Sequence, residues 1–504
     1  MLKRNLIANY LGQGWTALMG LAFIPLYIEY VGIEAFGLIG LFGVLQAWLS
    51  LLDMGMTPTL NREMARFTAG AHSATNIRDL LRSIEIVVLC IATLMGLGIW
   101  AASGWLASDW LRAENLPIDT VAQTFAIMGS VTALRFVEGI YRSAIVGLQR
   151  QVLYNAVNST LATLRGLGAI GILMWISATI EAFFIWQGIV SLFTLGVLAV
   201  VTYSALPNAE RGGRFSISAL LSIGKFASGT MGITFLALLL TQADKILLSK
   251  LLTLSEYGYY SLVTVVAGAL YMLAGPITQA WFPRLSELRA NNQQAELITK
   301  YHQGAQLVSV FMGSAAIIMI VFAEPILQLW TNDPELARRI ATLLSLLALG
   351  NLLNGLMWIP YQTQLAHGWT SLGIRINAVS VAAIVPAILW ATPRYGAEGA
   401  AWVWVSLNAG YVLIGIHFMY RKILTDEKWR WYGQDVLQPL LAATTVAILL
   451  HWAMPSQLTA LSKLAWLTGA SCLTLLGAGF AASYVSNSLM ALINAIFKPT
   501  AIGS

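Results

Sequence analysis

EAFGLIGL at residues 34–41 returns as SEYGYYSL at 255–262, and this pair decides how the chain divides. The offset is 221 residues, and each copy lies at the junction between the first and second long apolar runs of its half. TPTLNREMAR (57–66) against ITQAWFPRLSEL (277–288) keeps a similar offset. A helix needs about 20 apolar residues to cross hydrocarbon. Outward from these anchors fourteen such runs fit: 6–31, 35–60, 83–107, 118–147, 152–175, 181–205, 217–247, 254–282, 302–323, 336–364, 367–391, 396–421, 435–453 and 461–486. Six runs make up each copy, and an even number preserves direction, so the repeat is parallel, about an axis along the membrane normal. The expected fold is an all-α polytopic membrane protein of about 14 transmembrane helices. It has an N-terminal six-helix lobe (1–206), a C-terminal six-helix lobe (207–422), and two additional helices with a cytoplasmic tail (423–504) after the charged connection RKILTDEKWRW (421–431).

Composition points the same way. Of 504 residues, 58% are hydrophobic and only 10% charged, against about 25% charged in soluble domains. The net charge of +6 is spread over short loops rather than gathered in a patch, which argues against a nucleic-acid partner. Cys90 and Cys472 both sit in apolar runs and imply neither a disulfide framework nor a metal site. No P-loop, HExxH or GxSxG pattern occurs. The basic N-terminus is followed by an apolar stretch too long for a signal peptide, so it reads as a retained first span. Nineteen of the 29 Lys and Arg fall on the N-terminal side of the membrane and seven on the other. The acidic Glu29, Glu34, Asp109, Glu114, Asp119, Asp333 and Glu335 fall on that other side. The positive-inside rule then makes both termini cytoplasmic. The connections are too short to fold alone, since below about 40 residues a domain usually needs staples.

NYLGQGWTALMGLAFIPLYIEYVGIEAFGLIGL (9–41), LLDMGMTPTLNREMAR (51–66) and GLQRQVLYN with LRGLGA (147–155, 164–169) resemble the bacterial polysaccharide exporter and O-antigen flippase family. Its superfamily also holds the multidrug/toxic-compound extruders and the lipid II flippase. The resemblance implies two six-helix bundles facing each other in a V and alternating access. It also implies a substrate oligosaccharide attached through pyrophosphate to polyprenol, turned from the cytoplasmic to the outer leaflet of the inner membrane. The midplane cleft between the lobes is the expected site.

Charges inside the membrane cost from about 2.5 to more than 10 kcal/mol and are functional candidates by default. Arg135, Glu138 and Arg142 in the fourth run are spaced i, i+3, i+7 and share one helical face. Arg165 lies midway along the fifth run, and Arg375 about two turns inside the eleventh. Arg suits a diphosphate because its planar fork donates bidentate, charge-assisted hydrogen bonds. The bland alternatives are that Arg135 pairs with Glu138 and that Arg165 snorkels or caps a carbonyl. Asp53 is a candidate for ion coupling, but a lock to Asn9 or Gln13 on the first run, or a bond from Thr57, is the preferred reading. Asp244 and Lys245 form a comparable feature in the second half, though as sequence neighbours they do not share a helical face. Pro25, Pro58 and Pro276 are candidate hinges, with Pro58 and Pro276 in corresponding spans. A static kink is the equal alternative. Trp100, Trp105, Trp429 and Trp431 are expected in interfacial belts.

The expected function is therefore that of a flippase for a polyprenyl-pyrophosphate-linked oligosaccharide, an O-antigen or capsule or exopolysaccharide repeat unit. It would be no enzyme, would need no cofactor beyond a proton or sodium gradient, and would work as a monomer with membrane lipids around it, with a glycan polymerase and chain-length proteins as possible partners. A drug/cation antiporter of the same superfamily is the alternative, and the excess of buried Arg counts against it. A glycan polymerase or ligase is weaker still, because every outer connection is short.

Overall fold

The computed structural model describes residues 2–68, 70, 72–207, 211–369, 371–487 and 490, leaving out the side chains of 2–10 and of several residues within 222–240 and at 374. Among the described residues the fold is helical without strands, in the order α1 Leu2–Ala22, α2 Ile24–Leu49, α3 Met56–Thr68, α4 Ala74–Trp105, α5 Ile118–Gly147, α6 Gln151–Trp175, α7 Ile180–Ala205 and α8 Ile217–Leu251. Then come α9 Leu254–Gly268, α10 Leu270–Ala290, α11 Gln294–Val321, α12 Ala323–Thr331, α13 Pro334–Leu356, α14 Trp358–Ala366, α15 Ser371–Gly410, α16 Ile416–Tyr420, α17 Lys428–Arg430, α18 Gln438–Trp452 and α19 Ala460–Ala481.

Eleven described helices are long and apolar enough to cross a membrane. Helix also occupies each of the fourteen expected runs; the smaller number arises partly because one of the eleven, Ser371–Tyr420, covers two of them. Gly32 (φ 81°) breaks α2 between the first and second runs, and Gly396 (φ 58°) breaks α15 between the eleventh and twelfth. Only glycine enters these conformations without a Cβ penalty. The runs beginning at 6 and 217 are helical as α1 and α8, which are not among the eleven.

The chain separates into two compact units, Met1–Tyr259 and Tyr260–Ser504. The first holds α8, which packs against α2, α3 and α4, and its core includes Leu60, Met64, Leu81, Ile84 and Ala144. Small residues set its closest crossings. A Cβ on Gly147 would lie 2.4 Å from the Asn61 carbonyl oxygen, which fixes α5 against α3. The two repeat copies also meet at their glycines. A Cβ on Gly37 would lie 2.6 Å from the Leu254 carbonyl oxygen, and one on Gly258 would lie 2.3 Å from that of Ile33. Glu34, expected as a loop charge, is buried and accepts the backbone N–H groups of Glu114 (2.6 Å) and Asn115 (3.0 Å). It satisfies backbone donors that would otherwise be orphaned.

The second unit is built on α11, whose buried face carries Leu297, Tyr301, Val308 and Met312 against α10, α13 and the 431–437 helical turn. Trp431, expected in an interfacial belt, is instead fully buried in this core, whereas Trp100, Trp105 and Trp429 are exposed. A wider π-type turn over Trp431–Leu437 rotates Trp431 and Asp435 inward. Such turns occur mostly as local bulges near functional positions.

The prolines do not occupy matching positions. Pro25 and Pro58 both lie in first turns, of α2 and α3, where the missing N–H has no partner to lose. Pro276 sits inside α10, and the break in that span falls earlier, between Gly268 and Leu270. The turn before Pro58 is made by Met54 (φ 48°) and Gly55 (φ 75°). Gly258→Ala should destabilise the protein by about 1–3 kcal/mol through overpacking. Gly43→Ala, with nothing within 4 Å of the added Cβ, should leave the thermal midpoint of the detergent-solubilised protein unchanged.

Candidate functional site

The intramembrane charges of the first unit converge, though not as a simple ion pair. Arg135, midway along α5, reaches two neighbouring helices. Its Nη2 donates to Gln187 Oε1 (2.9 Å), its Nε to Ser191 Oγ (3.4 Å) and its Nη1 to Gln46 Oε1 (3.3 Å). The guanidinium carbon lies 4.8 Å from the Phe42 ring centroid. Four partners on α2 and α7 thus hold it by neutral dipoles and a π face. Nothing in the sequence reading named Gln46, Gln187 or Ser191. Uncharged amides inside apolar runs were the signal that could have found them.

Glu138 does not pair with Arg135. It is 1% exposed, and its Oε1 is buried without a hydrogen-bond partner. Arg165, Arg135 and Arg142 are its electrostatic neighbours, yet among the described residues no ion pair within 4 Å joins it to any of them. Arg165 is the least satisfied of the group, for its Nε and Nη2 are buried without a partner. Its backbone carbonyl accepts the Trp186 indole N–H (3.2 Å), and the bare Cα of Gly168 lets that ring lie against α6. The site therefore carries three guanidinium groups against one carboxylate, with donor capacity left over on Arg165.

Towards the start of α6, a polar recess of about 450 Å³ opens among Gln13, Thr16, Gln151, Tyr154, Asn155 and Asn158. Asn158 Nδ2 donates to Thr16 Oγ1 (3.1 Å), and Trp15 Nε1 donates to Thr163 Oγ1 (2.8 Å). Arg142 is exposed, with its guanidinium carbon 6.0 Å from the Tyr154 ring. It thus stands beside the recess, while Arg135 and Glu138 lie deeper in the unit.

The remaining candidates lie apart from this group. Asp53 accepts the Thr57 backbone N–H (3.0 Å) and the Thr57 hydroxyl (2.6 Å), which caps α3 after the turn at Met54 and Gly55. No bond to Gln13 accompanies it among the described residues, and the Asn9 side chain lies outside them. Of the expected partners, Thr57 is the one observed. Asp244 and Lys245 do meet despite being adjacent, at 3.6 Å, because the lysine stem folds back while its ammonium donates to the Thr241 carbonyl (2.7 Å). Arg375 is exposed on α15 in the other unit. At the end of α3, Glu63 is buried and gathers Arg66 (3.0 Å), Arg62 (3.4 Å) and His72 (2.7 Å).

A multi-pass helical chain with a cationic group inside one bundle defines a membrane transporter class. The fold agrees. A structure titled as the lipid II flippase MurJ in an inward closed conformation matches with a TM-score of 0.70 and 12% identity, over 97% of this chain and 99% of that one. A multidrug resistance MATE family transporter of the MOP superfamily, titled as inward-facing, matches with a TM-score of 0.60 and 15% identity, over 81% and 95%. A family model described as polysaccharide biosynthesis protein matches residues 2–289, and the chain belongs to that family. A Shigella flexneri protein named "Putative O-antigen transporter" is 19% identical over 408 residues, covering 80% of this chain and 93% of the relative. These relatives bear the names of transporters rather than enzymes.

Gln187→Leu removes the shortest acceptor of the Arg135 guanidinium and should lower stability by about 1–3 kcal/mol. Pairing it with Arg135→Met should recover part of that loss. A double-mutant cycle on thermal unfolding in detergent reads the coupling.

Proposed function

We propose that the protein is a flippase that carries a polyprenyl-pyrophosphate-linked oligosaccharide, an O-antigen or capsule or exopolysaccharide repeat unit, from the cytoplasmic to the outer leaflet by alternating access. The observation that carries this reading is Arg165, a guanidinium with Nε and Nη2 buried and unpartnered beside two further arginines and a single carboxylate. An uncompensated charge in an apolar bundle is costly unless a counter-ion arrives. A diphosphate supplies one with oxygens matched to the guanidinium fork. Family membership and the name of the Shigella flexneri relative support the glycan half of the reading. The polar recess by Tyr154 and Asn158 offers amide and hydroxyl groups to sugar hydroxyls beside Arg142.

In this scheme the prenyl tail stays in lipid while the headgroup passes through the bundle. The protein works as a monomer in the bacterial inner membrane with both termini cytoplasmic, its fourteen helical runs all spanning. A proton or sodium gradient biases the cycle, and a glycan polymerase with chain-length proteins takes up the product. A drug/cation carrier would instead want acidic groups in excess at this position, the reverse of what surrounds Glu138.

The test is a null strain scored for lipid-linked glycan held in the cytoplasmic leaflet and then complemented. At matched protein levels, Arg165→Ala should cut export at least about tenfold, the loss expected when roughly 1.4 kcal/mol of anion binding is removed. Arg165→Lys should recover part of it, since the ammonium keeps the charge but not the fork. Wild-type export from both variants contradicts the proposal.

A further inference from the structure

The second unit buries a histidine between two carboxylates. His302 on α11 is 3% exposed, and its Nδ1 meets Asp435 Oδ2 while its Nε2 lies 2.9 Å from Glu427 Oε2. Asp435 is 0% exposed. Its other oxygen, Oδ1, accepts Gln306 Nε2 at 2.9 Å. The Gln306 amide cannot be turned round, because its Oε1 already accepts the Tyr484 backbone N–H at 2.9 Å. Asp435 Oδ1 is therefore an acceptor, and any proton between Asp435 and the ring belongs to the Oδ2–Nδ1 contact. On the other side, Glu427 Oε2 also faces Arg430 Nη1 at 3.5 Å.

Donor and acceptor bookkeeping then decides the state. A neutral imidazole has one N–H and one bare nitrogen, and an ionised carboxylate only accepts. With both carboxylates ionised, a neutral ring would set lone pair against lone pair at one of the two contacts, so the trio needs one proton beyond the neutral ring's own. One additional proton on the ring turns both contacts into charge-assisted hydrogen bonds. Among the described residues, Arg430 beside Glu427 is the one further charge at this cluster. Tyr301 meets it edge-on at 5.2 Å with its hydroxyl turned to Tyr420, and Ser483 and Tyr484 present a hydroxyl and a backbone N–H to Gln306. Tyr432 donates to the Val412 carbonyl, Lys428 lies against His417, and Lys300 reaches Gln303. Among the described residues no group of three His, Cys, Asp or Glu side chains could hold a metal ion, and the two ring nitrogens face different carboxylates.

We propose that His302, Asp435 and Glu427 form a proton-binding site, and that its one bound proton ties α11 to the 427–437 segment at the root of the C-terminal helix pair α18 and α19. Gln306 extends the tie to residues 483–484 beyond α19, so the proton joins three separate stretches of the second unit. The inference does not rest on the diphosphate reading, and its test does not involve transport.

The full-length protein, labelled with 15N-histidine and held in lipid nanodiscs, reports the ring state directly, with His302→Gln assigning the signals. At about pH 7.5, above the ordinary histidine range near 6.5, both His302 nitrogens should appear as N–H. Asp435→Asn should convert His302 to a neutral ring at the same pH. Should that variant fail to fold, Glu427→Gln at the more open partner should convert at least about half of the molecules, as loss of an adjacent opposite charge requires. Tyr301→Phe should leave the double N–H pattern intact. One bare nitrogen in the wild type overturns the proposal, as does a double N–H pattern that persists in both carboxylate variants.

Discussion

The balance of charge around Glu138 is the constraint on which the first unit depends. Three guanidiniums and one carboxylate are held within apolar helices, and the unit is arranged to make that tolerable. Arg135 is spread over Gln46, Gln187, Ser191 and the Phe42 ring rather than neutralised by its nearest carboxylate. These partners are dipoles, which solvate a cation without cancelling its charge. Arg165 is left with buried donors unmet. Native structures rarely leave such groups orphaned, so each one needs an explanation. The anion proposed above would also account for the sign of the whole group.

Glycines hold that arrangement in place. The crossing of α5 over α3 relies on the bare Gly147, and the seating of Trp186 on α6 relies on Gly168, the residue three positions beyond Arg165. At the far end of the same unit, Gly37 and Gly258 let the two repeat copies approach to backbone contact, with Glu34 capping the neighbouring loop. Small residues at helix crossings are how membrane helices gain packing energy where lipid offers no hydrophobic drive. The positions quoted first from the sequence are therefore packing positions, and the binding chemistry lies elsewhere.

Much of the fold was legible because hydrocarbon thickness imposes one length on every span. The runs 118–147 and 152–175 match α5 and α6 to within a residue, and the turns at Gly32 and Gly396 fall where adjacent runs were divided. The site was legible only by residue type. Charges at i, i+3 and i+7 placed Arg135, Glu138 and Arg142 on one face, but no rule of spacing says that Arg135 turns to Gln187 instead of Glu138. Partners from distant helices are a tertiary outcome. Asp53 was legible in part: the bond from Thr57 was among its expected partners, and the left-handed pair Met54–Gly55 makes that bond a helix cap. The His302–Asp435 pair was invisible because its members are 133 residues apart, and Trp431 was taken for a belt residue until the wider turn over 431–437 rotated it inward.

Diphosphate binding by the first unit through Arg165 is the proposal that carries the functional reading. Calorimetric titration of the purified, lipid-reconstituted protein with a short-chain prenyl diphosphate and its monophosphate counterpart tests it most directly. The wild type should prefer the diphosphate by about tenfold or more, the equivalent of roughly 1.4 kcal/mol, and Arg165→Gln should lose the preference while keeping the fold. Equal affinity for the two ligands in the wild type, or an undiminished preference in the variant, contradicts it.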